Sequence, residues 1–466
     1  MSVVPSVVRH PLPKASSTAR TTLLCFLRYS LMFTLFCPSA FSQVPNDNTF
    51  SQMVLDRIIK DIIPPNVTGP TGVNYSDLQV NTVPTTFSKD SKYETWMLTR
   101  FVDTISPQGL VFKSTPKTLS GQYSLFIREI AIPKTDKALA PQLNAARMKY
   151  DAAILAYEKL FQDQDPNYKK FHENQIHAGV KEDDLISENQ WLSQNYGDRL
   201  TVAQEKRDSA AQDWLALANQ ASAQYRDIAN SVVAYDNTGN QRNVLIQDTE
   251  DRQMVRYYTA VPSIKEFVAQ AETITGAGHS WSYNHNSGWS STETMNAGAS
   301  ASYFGITIGG SGSHSSIKSS EDQFAFSLEF KHWGRSAIKP GEWFIPGVIT
   351  EFKNGPFTRQ SRADTVDPNE KFWNPETGVM PWMVSELVLV YKPTIKITMS
   401  HKTYEDIKTT FSGSAGISIG PFSFGASGGG TKEDIKWDDS SNTLTAVGAD
   451  APQILAVIQT KLPDFK

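Results

Sequence analysis

The chain has 466 residues, of which 39% are hydrophobic and 20% charged, with a net charge of −4. That length suits about three domains of ordinary size, and the balance of side chains excludes a protein embedded in a bilayer along its length. Neither the overall charge nor any Lys/Arg-rich run supplies the basic footprint that a nucleic-acid partner needs.

Residues 1–42 read as a secretory signal. Arg9, Lys14, Arg20 and Arg28 form a basic lead without an acidic residue, Tyr29 to Cys37 is a short apolar core, and Ala40 and Ser42 are small residues placed for cleavage between Ser42 and Gln43. Arg28 splits the apolar run, leaving it well short of the ~20 residues of a spanning helix. The expected location is therefore extracellular or periplasmic. Both cysteines, Cys25 and Cys37, lie inside the signal. The mature chain is then disulfide-free, with no thiolate for catalysis or for zinc. Its loss leaves 40 of the 44 basic residues against 48 acidic ones.

Residues 43–135 are a mixed segment. Met53 to Ile63 has the pattern of a short amphipathic helix stopped by Pro64-Pro65, and Tyr93 to Ile105 that of a second helix. Asn66-Val-Thr68 and Asn74-Tyr-Ser76 are glycosylation sequons, so Asn66 and Asn74 are the candidate acceptors. Tyr123 to Ile132 reads as a strand running into Pro133.

Residues 136–235 predict a long antiparallel helical hairpin of coiled-coil character. Leu139, Leu143, Ala146, Tyr150, Ala153, Tyr157 and Leu160 repeat at alternating spacings of four and three. Asp165-Pro166 is expected to end that helix. Tyr196, Leu200, Ala203, Ala210, Trp214, Leu217, Ala221 and Ile228 form the returning seam, interrupted by Arg207 and Gln224. The pair is either a spacer and packing arm or a membrane-active or oligomerising element.

Residues 236–466 are β-rich. A short helix is expected over Ile264 to Thr273, an alternating strand at Phe324 to Phe330, a buried central strand at Glu386 to Tyr391 and another strand at Thr394 to Met399. Residues 334–382, rich in Pro and Trp, read as ordered loops.

Two stretches near 279–313 and 395–429 resemble each other, with Met295 opposite Phe411, a displacement of 116 positions. In the first, Met295, Ala297, Ala299, Ala301 and Tyr303 alternate with polar residues, and the parity then flips to Ile306 and Ile308. In the second, Phe411, Ala415, Ile417 and Ile419 give way to Phe422, Phe424 and Ala426. Strand side chains alternate faces, and a two-residue loop sets its flanking residues on one face. Tyr303/Ile306 and Ile419/Phe422 fit that rule, so two amphipathic β-hairpins from an internal duplication are expected. The fold class is α+β: a mixed segment, a helical hairpin, then an antiparallel β-rich domain.

No motif carries chemistry. Gly425-Ala-Ser427-Gly-Gly429 has the spacing of a nucleophile elbow without the strand-to-helix context that motif requires, and Ser315-Ser-Ile-Lys318 has no companion motifs. His285 and His401 match across the repeat and are the weak metal candidates, without the three or four converging ligands a site needs. The expected catalytic, metal and cofactor sets are empty. Trp281, Trp289, Tyr303, Trp333 and Trp343 serve either core packing, or sugar stacking or an interfacial belt.

Three functional readings follow. The first is a secreted, non-enzymatic binding or structural protein with a β-sandwich-like C-terminal domain, its hairpins permanent layers. The second is a membrane-acting protein in the manner of β-hairpin pore formers, in which Met295, Ala297, Ala299, Ala301, Tyr303, Ile306, Ile308, Phe411, Ala415, Ile417, Ile419, Phe422 and Phe424 meet lipid. The third is a hydrolase with carboxylates in no recognisable motif. The expected partner is a protein, a glycan or a lipid surface, or further copies of the chain through the helical hairpin or the β-hairpins. Nucleic acid is not expected.

Overall fold

The computed structural model describes residues 78–81, 85–87, 91–106, 111–112, 115–180, 184–186, 188–237, 244–246, 254–274, 279–284, 306–308, 313–315, 325–358, 367–411, 416–425 and 430–462. The signal segment, the helix expected at Met53 to Ile63, both sequons, His285, Ala415 and the arm Met295 to Tyr303 lie outside the described residues.

In chain order the elements are β1 (Leu78–Asn81), α1 (Ser91–Val102), β2 (Val111–Phe112), α2 (Leu119–Glu129), α3 (Ala140–His177), α4 (Glu188–Ala218), α5 (Ala223–Asp236), β3 (Val244–Ile246), β4 (Met254–Arg256) and β5 (Tyr258–Val261). They continue with α6 (Ile264–Thr273), β6 (His279–Asn284), β7 (Ile306–Ile308), β8 (Ser313–Ser315), β9 (Ala325–Pro340), α7 (Pro346–Phe352), β10 (Trp382–Thr398), α8 (His401–Phe411), β11 (Gly416–Ile419), β12 (Phe422–Gly425), β13 (Ile435–Asp438), β14 (Thr443–Val447) and β15 (Pro452–Lys461). The α+β class holds, with a long helical pair and an antiparallel β-rich region.

The frame is the antiparallel pair β9 and β10, 16 and 17 residues long and about 50 Å from end to end at 3.3 Å per residue. Its register runs unbroken from Thr398↔Ala325 to Glu386↔Ala337. Different strands flank each half. β15 pairs with the first half of β10 and β14 with the second. β5 pairs with the end of β9, and β6 with its start. β13 extends β14, while β1 and then β2 extend β15, giving nine strands.

This sheet separates two cores. Leu387, Leu389 and Tyr391 face the helices, and Val388 and Val390 the opposite side. Strict alternation would keep the odd residues on the helical side, yet Ile395, Ile397 and Met399 lie in the opposite core. The switch occurs at Lys392, whose φ of 54° breaks the period. Glu386 to Tyr391 is the buried central strand the sequence indicates, and Thr394 to Met399 is its continuation rather than a separate strand.

Helix α2 replaces the strand expected at Tyr123 to Ile132. Leu119, Tyr123, Phe126 and Ile127 are all buried at helical spacing, and the Thr118 side chain accepts from the Gly121 amide to cap the first turn. Helix α1 forms where Tyr93 to Ile105 predicted one. Helix α6 also forms as expected, opened by a capping box in which Ser263 and Glu266 exchange hydrogen bonds.

Helix α3 does not stop at Pro166. It runs through the proline to His177, although proline removes one backbone bond and crowds the preceding turn. Aromatic packing beyond the proline offsets that cost: Tyr168, Trp191 and Leu192 are buried together, with Phe161, Phe171, Ile186 and Tyr196 around them. Helix α4 breaks at Tyr196 (φ −135°, ψ 20°), beside Gly197. Nearer the body, Tyr150 lies 5.3 Å from Trp214, whose indole N–H donates to the Tyr225 hydroxyl. Arg207 interrupts the seam in sequence but not in space, because its guanidinium stacks 4.7 Å over Tyr157.

The stretch expected as loops, 334–382, holds the end of β9, helix α7 and a π-helical turn at Asn369–Trp373. Trp343, Trp373 and Trp382 are all buried in it.

Candidate functional site

The second hairpin forms as its parity requires. β11 and β12 pair Ile419↔Phe422 and Ile417↔Phe424 across a two-residue loop whose first residue, Gly420, takes a φ of 58°. β7 then pairs with β11, Ile308 opposite Ile417 and Ile306 opposite Ile419, and β8 closes a four-stranded sheet in the order β12-β11-β7-β8. The two similar stretches therefore pair with each other, a contact between residues so far apart in sequence that local pattern does not reveal it.

Phe411 departs from the expected strand. It ends helix α8, whose Tyr404, Ile407 and Phe411 are buried one turn apart. Ile417, Ile419, Phe422 and Phe424 face the same core as these three, against Ile395, Ile397, Leu444 and Leu455 of the large sheet. The apolar face of the hairpin is thus wholly covered, none of the four side chains exceeding 1% exposure.

The hairpin's free edge is covered as well. Gln453 on β15 is fully buried, and its carboxamide makes both hydrogen bonds that a neighbouring strand would make: the Ser423 amide donates to Oε1 at 2.9 Å, and Nε2 donates to the Ser423 carbonyl at 2.9 Å. An exposed edge would present these groups unpaired. A single glutamine therefore ties the small sheet to the large one.

A partly buried polar network sits where the helical pair meets the body. Arg128 on α2 donates to both oxygens of Asp236 on α5 at 2.6 Å and to Asp151 on α3 at 3.1 Å, and the Tyr150 hydroxyl donates to Asp236 at 3.3 Å. Burial opposes the Arg128 charge, but the Asp236 and Asp151 carboxylates outweigh it and raise its pKa. Nearby, the Asp103 carboxylate accepts from the Ser120 amide at 2.7 Å, the Ser120 hydroxyl at 2.5 Å and the Tyr258 hydroxyl at 3.0 Å. Burial still pushes the Asp103 pKa upward against those three donors. Asp136 holds the amide and hydroxyl of Ser222 in the same way at 2.7 and 2.5 Å, fixing the start of α5. These groups consume one another's hydrogen-bonding capacity and fasten helices together.

No group of three or more His, Cys, Asp or Glu that could hold a metal occurs among the described residues. His401 opens α8 in the open, with Nδ1 3.1 Å from the Asn442 side-chain oxygen. Gly425 ends β12, while Ser427 and Lys318 lie outside the described residues, as do Trp289 and Tyr303. Trp343 is fully buried among Tyr123, Tyr258 and Phe344, so its role is packing. Among the described residues no helix is long and apolar enough to cross a membrane.

The helical pair is the exposed feature. On α3 the main core ends at Ile154, and on α4 it begins at Ala210. The remainder of α3 extends about 35 Å farther at 1.5 Å per residue. Of the six large hydrophobic residues most exposed among those described, four lie on this arm: Met148 at 71%, Leu155 at 66%, Ile176 at 48% and Val202 at 48%. A shallow groove of about 560 Å³ runs between the two helices, floored by Ala152, Ala156 and Ala203, with Val202, Asp198 and Lys206 along one bank. Sequence reasoning identified the seam of the pair but not this outer face, whose signal is the 4-3 spacing of Met148, Ala152 and Leu155.

No protein family, characterised relative or solved structure matches this chain.

Proposed function

We propose that this chain is a secreted, non-enzymatic binding or structural protein, with a two-sheet body that stays folded in use and a helical arm that makes the contacts. The observation that carries the reading is the double cover on the second hairpin: its apolar face is buried in a core, and its edge is held by Gln453. A strand destined for lipid would have to break both, exposing four large side chains and two backbone groups before any membrane contact offset the loss. The arm supports the second half of the reading, because four of the six most exposed large apolar residues among those described lie on its two helices.

The test is dye release from vesicles of neutral, anionic and sterol-containing composition, from pH 5 to 8. The expected result is no release above buffer, with the hairpin's amides still protected from exchange. Release accompanied by a discrete oligomer would overturn this reading and favour the pore-forming one.

A further inference from the structure

The arm carries four charged residues whose arrangement is symmetric about one apolar side chain. On the exposed face of α4, Asp198 and Lys206 stand four residues to either side of Val202, and Arg199 and Glu205 three to either side. All five side chains are exposed, and none of the four charges forms an ion pair among the described residues. Neighbouring arm charges do pair, as Lys149 does with Asp213 and Arg207 with Asp208.

We propose that two copies of the chain dimerise through their arms, antiparallel, with the two-fold axis passing beside Val202. A two-fold interface is self-complementary, so each residue i meets a residue j whose copy meets i in return. With Val202 on the axis, Asp198 meets Lys206 of the second copy and Arg199 meets its Glu205, and the symmetry doubles each pair. A parallel pairing in the same register sets Asp198 beside Asp198 and Lys206 beside Lys206, which is repulsive.

The apolar part of the surface fits the same arrangement. Ala152, Ala156 and Ala203 leave room for a helix at the usual 8–10 Å separation, and the groove they floor adjoins Val202. Placing each α4 against the partner's groove makes a four-helix bundle with the two α4 helices at its centre. Met148 and Leu155 on α3 then border the incoming helix instead of facing water. The proposal rests on the reading of the arm as the contact surface and names its partner as a second copy of this chain.

The experiment uses the full chain in a Cys25→Ser/Cys37→Ser background, which contains no other cysteine. Light scattering across a concentration series should show a monomer–dimer equilibrium. Asp198→Lys and Lys206→Asp should each weaken it about tenfold, because each turns two attractive pairs repulsive. The double variant should restore the dimer to within about threefold of the parent. Both sites are exposed, so each variant should keep the parent's far-UV circular dichroism and a cooperative melt, which confirms that it folds. Val202→Cys should form a disulfide-linked dimer under mild oxidation, and Ile176→Cys, far from the axis, should not. A chain that stays monomeric at every soluble concentration overturns the proposal, as does a dimer indifferent to the single reversals or not rescued by the double. Vesicle release would overturn the functional reading beneath it, whereas a monomer that leaves vesicles intact overturns the dimer alone.

Discussion

Replacing Gln453 isolates the contribution of the link between the two sheets. Its carboxamide satisfies the N–H and the C=O of Ser423, a residue only 4% exposed. Gln453→Leu keeps the volume and removes both partners, leaving two buried backbone groups unpaired. At ~1–3 kcal/mol for each, the loss should be about 2–6 kcal/mol. Gln453→Ala adds a cavity and should cost more. Gln453→Glu separates hydrogen bonding from shape. A protonated Glu can still accept from the Ser423 amide and donate to its carbonyl, whereas a carboxylate faces that carbonyl with a second oxygen and no proton. The folded-state pKa of this Glu is therefore raised above the ~4.3 of the unfolded chain. Its stabilisation is complete below that unfolded value and is lost as pH rises through the folded one. The Gln453→Glu protein should match the parent near pH 4 and fall toward the Gln453→Leu protein by pH 7. Urea denaturation at a series of pH values measures all three. A Gln453→Leu loss below about 0.5 kcal/mol, the range of ordinary surface changes, or a Gln453→Glu profile parallel to the parent's, would refute the edge-pairing argument.

Other consequences of the fold are open to simple measurement. Ile417→Asp sets a carboxylate in the core shared by both sheets and should cost at least about 4 kcal/mol, lowering the melting temperature by roughly 8 °C or more; an unchanged melt would mean the hairpin is not packed. Arg128→Met strands Asp236 at the foot of the arm and should cost about 3 kcal/mol in urea denaturation, most of it recovered in Arg128→Met/Asp236→Leu. If the double variant is no better than the single, the pair is not the unit of stabilisation. Trp191→Ala should loosen only the aromatic tip, speeding proteolysis within 167–195 while leaving the main unfolding transition in place. A shift of the whole transition would show that the tip is coupled to the body.

The features legible in the sequence are those set by local periodicity. The seam through Leu143, Ala146, Tyr150 and Trp214 announces the helical pair because coiled-coil spacing is a property of neighbouring residues. The turn at Gly420-Pro421 is legible for the same reason, since parity alone aligns Ile419 with Phe422. The errors share a different origin. Tyr123 to Ile132 has strand-like composition, and only the Thr118 cap and Leu119 upstream reveal the helix. Pro166 stops a helix unless packing beyond it compensates, and that packing comes from Trp191 on another element. The repeat aligns Phe411 with a strand, but the spacing of Tyr404, Ile407 and Phe411 is helical. Gln453 stands as a lone polar residue in the run Pro452 to Ile458, a visible anomaly whose partner, Ser423, becomes apparent only when the second sheet is laid on the first. The face switch at Lys392 likewise depends on one backbone torsion that composition does not encode.

The most direct test of the account follows amide hydrogen exchange in β11 and β12 with and without vesicles present. If the hairpin is a permanent layer, the amides of residues 416–425 exchange as slowly as those of the central strand β10, and vesicles leave both unchanged. Loss of protection confined to the hairpin on adding vesicles, while β10 stays protected, would contradict the account and identify those strands as the part that leaves the fold.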